Sequence, residues 1–299
     1  MKVVVFGEGM IEQRADAAFA WGGDVVNTAV YLARQGLAPE LLTVMGADAG
    51  CEAIVAAWAA QGVGVAHVLR DPTRTAGRYK IYVNAAGERR FTYDRDKSAA
   101  RSFFEHAEAE AALAWAAEAD TLYLTGITLS IFSDASRARI VELARRVRGR
   151  GGQVVFDPNY RPAGWPSAAA AWAAISALAP AVTVAMPSIE DHVALLGPAT
   201  PSEAAKAWLA LGATEVVIKL GEQGALIASA AGEVRVPAAT PARIVDTTAA
   251  GDSFNAAYVA ARLVEGLPAE AAARRGAALA AEVIGWPGAI APPDVGRRP

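Results

Sequence analysis

The chain has 299 residues, 54% of them hydrophobic, and a formal net charge of −3. This length buries about three quarters of the unfolded surface without a disulfide or metal staple, and Cys51, the only cysteine, excludes a disulfide framework or a thiolate metal cluster. Acidic and basic residues are mixed along the sequence, which argues against nucleic acid or an anionic membrane as a partner.

Short β-branched runs alternate with alanine-rich helical stretches along most of the chain. Several of these runs are apolar on both faces, which is typical of strands in a parallel sheet covered by helices. This alternation predicts a doubly wound α/β fold. In chain order the predicted elements are strand Val3–Phe6, helix Asp24–Gln35, strand Leu41–Met45, helix Ala49–Gln61, strand Thr121–Leu124, helix Ser133–Arg148, strand Val154–Asp157, helix Ser167–Leu178, strand Val182–Met186, helix Pro201–Leu211 and strand Val216–Leu220.

One region interrupts this alternation. Arg78–Val83 and Arg90–Tyr93 each alternate polar and apolar residues, and the segment between them contains Gly87. Period-two patterning around a glycine-containing loop predicts a β-hairpin. We interpret the hairpin as part of a small β lid, made of segments near 11–22 and 72–97 that are inserted in a single domain covering residues 1–299.

The residues that carry chemistry are concentrated in the string DTTAAGDSFN, Asp246–Asn255. Its small residues lead into an apolar stretch that predicts a helix. The unpaired N–H groups and the dipole at the start of a helix attract phosphate. Asp252 stands at this terminus, where it either caps the helix or accepts a proton from a hydroxyl that attacks the phosphate.

A second motif, GGDVVNTA, precedes and enters the first predicted helix. The glycine pair Gly22 and Gly23 lets a ligand approach the backbone closely. Asn27, one turn inside the helix, can bind polyol hydroxyls. The alternative is a tight turn followed by a solvent-facing asparagine.

The segments GGDVVNTAVYLARQG and DTTAAGDSFNAAY together resemble the two signature segments of the ribokinase (PfkB) carbohydrate-kinase family. GEGMIE, FTYDRDKSAAR, YLTGITLSIF and FDPNYRPAGW are similar to the members that phosphorylate 2-keto-3-deoxygluconate. The resemblance implies a ribokinase-like α/β fold, with ATP and Mg²⁺ as cofactors. It also implies transfer of the ATP γ-phosphoryl group to a primary hydroxyl of that sugar acid.

The resemblance also assigns roles to individual residues. Asp252 matches the catalytic base, and the backbone of Ala249, Ala250 and Gly251, with the amide of Asp252, matches the anion hole. The implied substrate contacts are Gly23, Asn27, Tyr79, Tyr93, Arg95, Arg161 and Asp252. The implied ATP contacts are Asn159, Arg161, Lys219, Gly221, Gly224 and Gly251.

A sugar acid needs a guanidinium fork for its carboxylate, whereas a neutral sugar needs only hydroxyl partners. Arg95 and Arg161 stand in two segments from which such a fork can come. The alternatives are that both arginines are solvated surface residues and that Tyr79 and Tyr93 only pack the lid.

Phosphate handling cannot follow the P-loop scheme, because no GxxxxGK[ST] string occurs. The family's metal-associated NxxE segment is represented here by Ser188–Asp191, in which serine replaces asparagine and aspartate replaces glutamate. Asp191 is therefore the residue expected to hold Mg²⁺ through water, and these two replacements weaken that assignment.

Three rival functions stay open at this point. A kinase for fructose, ribose or another neutral sugar would fit the same motifs without needing the arginines. A nucleotide-binding oxidoreductase would require GxGxxG after the first strand, and the segment Gly7–Glu12 lacks the third glycine. A sugar-binding regulator on the same fold would not need Asp252.

The N-terminal apolar run is too short for a signal peptide and is followed by Glu8 and Glu12. The long uncharged stretch at 162–189 is mostly alanine and is divided by Pro180, which favours a buried helix and strand over a membrane span. We therefore expect a cytoplasmic protein with a sugar acid and ATP as its partners, which binds neither nucleic acid nor membrane. A homo-oligomer formed through the lid is a further expectation.

Overall fold

The computed structural model describes residues 1–13, 20–83 and 89–298. Within these ranges, nine strands form a mixed central sheet and four form a separate small sheet. The strands are β1 Val3–Phe6, β2 Met10–Gln13, β3 Ala20–Gly22, β4 Pro39–Gly46, β5 Val68–Asp71, β6 Gly77–Val83, β7 Arg89–Asp94, β8 Thr121–Thr125, β9 Gln153–Asp157, β10 Val184–Ala185, β11 Glu215–Lys219, β12 Ala225–Ser229 and β13 Gly232–Val236. The α-helices are α1 Asp24–Arg34, α2 Ala49–Ala60, α3 Ala109–Ala116, α4 Gly126–Ser130, α5 Asp134–Gly149, α6 Ala168–Leu178, α7 Ile189–Leu196, α8 Pro201–Ala210, α9 Ala250–Val259 and α10 Ala269–Val283.

The central sheet has the order β13-β12-β11-β10-β9-β8-β1-β4-β5. The strands from β11 to β5 run parallel, and β12 and β13 extend the sheet in antiparallel pairs. Each face of the sheet has its own core: Val4 and Phe6 of β1 belong to one, and Val3 and Val5 to the other. Because both faces are buried, the strands read as continuous apolar runs, and the predicted doubly wound α/β fold is confirmed.

The small sheet has the order β3-β2-β6-β7. Three residues separate the end of β1 from the start of its strand β2. Strand β2 pairs in parallel with β6, which pairs antiparallel with β7. The predicted hairpin is therefore present. Its turn, which contains Gly87, and residues 14–19 of the first predicted lid segment lie outside the described residues.

The observed boundaries agree with the predicted ones to within one or two residues, and some elements were missed. The two outer strands β5 and β13 and the helices α3, α4, α7 and α10 were not predicted. Strand β13 has a mostly exposed sequence, GEVRV, so it lacks the apolar signal on which the other strands were recognised. None of the described helices is long and apolar enough to span a membrane.

Helix α1 joins the N-terminal and C-terminal parts of the fold. It packs against α9, and Arg34 in its last turn donates to the carbonyls of Pro292 and Val295, each at 3.1 Å. The hydroxyl of Tyr31 donates to the carbonyl of Ala289 at 2.8 Å. The segment after α10 is therefore bound to the same helix that carries Asn27.

Candidate active site

A pocket of about 1190 Å³ opens at the carboxyl ends of the parallel strands. Its lining includes Glu8 after β1, Asp157 at the end of β9 and Lys219 at the end of β11. Ligands of open α/β sheets bind at this edge. The small sheet contributes Tyr79, and the start of α9 contributes Asp252.

The start of α9 presents free backbone donors to this pocket. The helix begins at Ala250, after Ala249 has turned the chain through a left-handed conformation with φ 62°. The amide of Ala250 donates to the carbonyl of Thr247 at 3.2 Å. The amides of Gly251 and Asp252 donate to no acceptor in the described part of the chain. These N–H groups and the helix dipole form an anion site.

The suggestion that Asp252 caps this helix is wrong. Asp252 is the third residue of the first turn and makes no side-chain capping hydrogen bond. Its carboxylate instead accepts a hydrogen bond from Nδ2 of Asn27 at 2.8 Å. Burial, and secondarily the charge of Asp24, raise the pKa of Asp252 to about 7. A carboxyl with that pKa is suited to accept a proton near neutral pH.

The backbone at the start of α1 has a conformation that requires glycine. Gly23 is the N-cap of α1 with φ 121°, and a Cβ there would lie 2.6 Å from the carbonyl oxygen of Glu8. Only glycine meets both conditions. Asn27 is buried, and its Oδ1 has no hydrogen-bond partner among the described residues. This acceptor is available to a sugar hydroxyl, so the solvent-facing alternative for Asn27 is wrong.

A buried ion pair lies beneath the anion site. Nζ of Lys219 is 2.6 Å from Oδ2 of Asp157, which is only 3% exposed. The same Oδ2 accepts from Nδ2 of Asn255 at 2.6 Å, and Oδ1 accepts from the amide of Asn159 at 3.1 Å. Asp157 raises the pKa of Asp252 and Lys219 lowers it. The pair therefore stabilises the loop after β9 and affects the proton affinity of the carboxyl above it.

The loop after β9 connects the two halves of the site. Asn159 has a left-handed φ of 33°, and its Nδ2 donates to Asp24 at 2.8 Å. The amide of Tyr160 donates to Oδ1 of Asp191 at 2.8 Å. The exposed Arg161 lines the pocket, and its Nη1 donates to the carbonyl of Tyr160 at 3.0 Å.

Asp191 also closes a capping box with Ser188 at the start of α7, because each side chain accepts from the backbone amide of the other. Burial, with a further contribution from Asp157, raises the pKa of Asp191. Both of its carboxylate oxygens therefore accept backbone hydrogen bonds, and Asp191 and Glu190 both line the pocket.

The small sheet brings two of the predicted substrate residues to the pocket. The hydroxyl of Tyr79 donates to Glu12, and Arg95 pairs with the buried carboxylate of Glu8. Oγ of Ser98 donates to the other oxygen of Glu8 at 2.5 Å. The backbone of Tyr93 pairs with that of Tyr79 in the sheet, but the side chain of Tyr93 lies outside what the structure describes.

The structure places most of the predicted site residues on this one pocket. Gly224 is not among the residues that line it; a Cβ there would lie 2.0 Å from the carbonyl oxygen of Val236, so the glycine serves the turn between β11 and β12. The predicted residues on the pocket are Gly23, Asn27, Tyr79, Arg95, Asn159, Arg161, Asp191, Lys219, Gly221, Ala249, Ala250, Gly251 and Asp252. The charged lining residues to which the sequence analysis assigned no role are Glu8, Glu12, Asp24, Asp96, Arg101, Asp157 and Glu190.

The residues that could hold a metal ion in the pocket are carboxylates. Among residues 1–13, 20–83 and 89–298, no three His, Cys, Asp or Glu side chains are grouped to hold a metal ion. Glu190 and Asp191 are nevertheless among the residues that line the pocket. This arrangement fits Mg²⁺, which keeps several waters and binds through substrate phosphates and one or two carboxylates.

Comparison with known proteins agrees with this geometry. The family model described as "pfkB family carbohydrate kinase" matches residues 3–295. The chain is 38% identical to the 2-dehydro-3-deoxygluconokinase of Dickeya dadantii (strain 3937), over 97% of this chain and 96% of that protein. It is also 38% identical to the 2-dehydro-3-deoxygluconokinase of Escherichia coli (strain K12), over 97% of both chains. A crystal structure of a PfkB protein from Polaromonas sp. JS666 superposes with a TM-score of 0.82 at 31% identity, covering 94% of each chain.

Proposed function

Because the chain belongs to the pfkB family of carbohydrate kinases, we propose that it phosphorylates 2-keto-3-deoxygluconate, the substrate for which its 38% identical relatives are named. The γ-phosphoryl group of ATP is transferred to a primary hydroxyl of this sugar acid. The observation that carries the proposal is Asp252, a carboxyl with pKa about 7 in the first turn of a helix in which the amides of Gly251 and Asp252 are free to bind phosphate. The alternative of a neutral-sugar kinase finds no support in these relatives.

The reaction needs a base, an anion site and a dry pocket. The carboxylate of Asp252 accepts the hydroxyl proton while the hydroxyl oxygen attacks the γ-phosphorus and ADP leaves. The amides at the start of α9 stabilise the charge that develops on the transferred group. Asn27 orients the carboxylate through Nδ2 and offers Oδ1 to the sugar.

ATP and Mg²⁺ are part of this proposal. Lys219, Gly221 and the loop that holds Asn159 border the phosphate end of the pocket. Bound Mg²⁺ would be held by the nucleotide phosphates and, through water, by Asp191 with Glu190 beside it; it would neutralise phosphate charge. Since ATP is the phosphoryl donor, we place the enzyme in the cytoplasm.

A substrate panel tests the function directly. We expect kcat/KM for ADP release to be at least about tenfold higher with 2-keto-3-deoxygluconate than with fructose or ribose, because a charge-assisted hydrogen bond to the carboxylate contributes roughly 1.5–3 kcal/mol. Preference for either neutral sugar would refute the assignment.

Removing the side chain of Arg161 should lower the catalytic efficiency with the sugar acid. In Arg161→Ala we expect a higher KM for the sugar acid and a lower kcat, with kcat/KM reduced roughly 10- to 100-fold, the loss of one charge-assisted pair. Steady-state kinetics measures both constants. Arg139→Ala, which removes a surface arginine paired with the exposed Glu110, is the matched control and should behave like the wild type. Equal kinetics for the two variants would show that Arg161 is only a solvated residue.

The small sheet is proposed to act as a lid and as a dimer interface. Its outer strands, β3 and β7, each have one edge that pairs with no strand in the described part of the chain, and an open edge invites pairing with another chain. A second copy packing on it would stabilise it. Light scattering at micromolar concentration should therefore give the mass of a dimer, and a monomer would contradict this prediction.

A further inference from the structure

Some of the positively charged side chains that line the pocket form ion pairs with carboxylates of the protein, and others do not. Of the cationic side chains that the structure describes, four line it: Arg95, Arg101, Arg161 and Lys219. Lys219 is paired with Asp157, and Arg95 is paired with Glu8. Both of these carboxylates are at most 3% exposed. Two of the four charges are therefore already matched by buried anions.

Arg101 is held differently. It is half-buried and pairs with no carboxylate in the described part of the chain. Its Nε donates to the carbonyl of Arg95 at 3.0 Å, and its Nη1 donates to the carbonyl of Ile131 at 3.1 Å. Neutral carbonyls leave its charge uncompensated. They also fix the plane of the guanidinium, so that little side-chain entropy is lost when it binds an anion.

The donors that remain on Arg101 suit a carboxylate. A guanidinium has five N–H groups, and two of them reach the carbonyls of Arg95 and Ile131. The other N–H groups, on Nη1 and Nη2, remain for a ligand, and a guanidinium can bind a carboxylate with two parallel hydrogen bonds. Arg95 follows the small-sheet strand β7, and Ile131 follows α4. Arg101 is therefore anchored to elements other than α9, whose start binds phosphate.

We propose that Arg101, fixed by the carbonyls of Arg95 and Ile131, is a specificity-determining residue that binds the carboxylate of the sugar acid. The inference rests on the proposed function. Arg95, whose charge Glu8 already balances, then connects the small sheet to the central sheet, and Arg161 is the second unpaired cation near the same substrate.

The test compares two substrates that differ only at the carboxylate. These are 2-keto-3-deoxygluconate and 3-deoxyfructose, in which a hydroxymethyl group replaces it. In Arg101→Met we expect kcat/KM for the acid to fall roughly 10- to 100-fold, while kcat/KM for 3-deoxyfructose stays within about threefold because that substrate makes no ion pair. Arg139→Met is the matched control and should change neither value.

Equal losses on both substrates would show that Arg101 only supports the backbone, and an unchanged preference for the acid would also overturn the proposal. If Arg101→Met does not fold, the same kinetics with both substrates are measured for Arg101→Lys. It keeps the charge but lacks the planar fork, so KM should rise for the acid alone, and an unchanged preference again overturns the proposal. A wild-type enzyme that does not prefer the acid would instead refute the proposed function.

Discussion

Asp252→Asn is expected to reduce kcat roughly 10²- to 10⁴-fold, because an amide cannot accept the hydroxyl proton. The change preserves volume, and the hydrogen bond from Nδ2 of Asn27 can still reach the amide oxygen. ATP binding should persist or become tighter, since one negative charge near the phosphates is removed. Single-turnover phosphoryl transfer and ATP titration measure the two effects separately.

The pH dependence supplies the control for this variant. With a pKa of about 7 for Asp252, wild-type kcat/KM should rise with pH up to a plateau above about pH 7, and the residual activity of the variant should lack that limb. A folded variant that keeps more than about a tenth of wild-type kcat would assign the base to another residue.

The same pKa has a consequence for stability. The unfolded carboxyl titrates near pH 3.9, so between about pH 4 and 7 the folded state binds more protons than the unfolded state. Wild-type stability therefore falls as pH rises through this interval. Asp252→Asn has no carboxyl at this position and therefore lacks this loss of stability. The melting temperature of the variant at pH 8 should exceed that of the wild type, and the difference should vanish below about pH 4.

Lys219→Met should give the largest loss of stability. It leaves the carboxylate of Asp157, only 3% exposed, without its ion-pair partner, and breaking a buried pair in this way costs about 3–5 kcal/mol. For a chain of this size, that corresponds to a melting temperature lowered by roughly 5–10 °C. Because Lys219 lowers the pKa of Asp252, the acid limb of kcat/KM should also move to higher pH. Calorimetry and a pH profile measure these two shifts.

The double variant Lys219→Met with Asp157→Asn is the matched control. Replacing both charges removes the unpaired anion, so most of the lost stability should return. A single variant as stable as the wild type would mean that the ion pair does not stabilise the loop after β9.

The layered fold could be predicted because burial on both faces marks each central strand. Val154 and Val155 of β9 are adjacent in sequence and both fully buried, a pattern that solvent-exposed strands do not produce. Ser188–Asp191 shows where sequence reasoning was incomplete. The segment was interpreted only as a metal-associated motif, whereas its spacing S-x-x-D also describes the capping box that starts α7.

The sequence predicted many residues of the candidate site but not the ion pairs that they form with one another. Motifs after predicted strands indicated the correct edge of the sheet, because parallel strands bring their carboxyl ends together. The pairs Arg95 with Glu8 and Lys219 with Asp157 depend on strand order and on how the small sheet meets the central one. One sequence contains no such information, so it could not distinguish Arg95, whose charge is balanced, from Arg101.

The hydrogen bond between Asn27 and Asp252 joins residues 225 positions apart. Their helices α1 and α9 pack together, and in the proposed mechanism Asn27 orients the carboxylate of Asp252. On the ribosome, Asn27 in α1 is synthesised long before Asp252 in α9, because most strands of the central sheet lie between these two helices in the sequence. Contacts of such sequence separation form late and slowly. A nascent chain therefore cannot form the proposed catalytic pair until Asp252 has been synthesised and α9 has packed on α1, and catalytic competence becomes a sign that these two distant parts of the chain have come together.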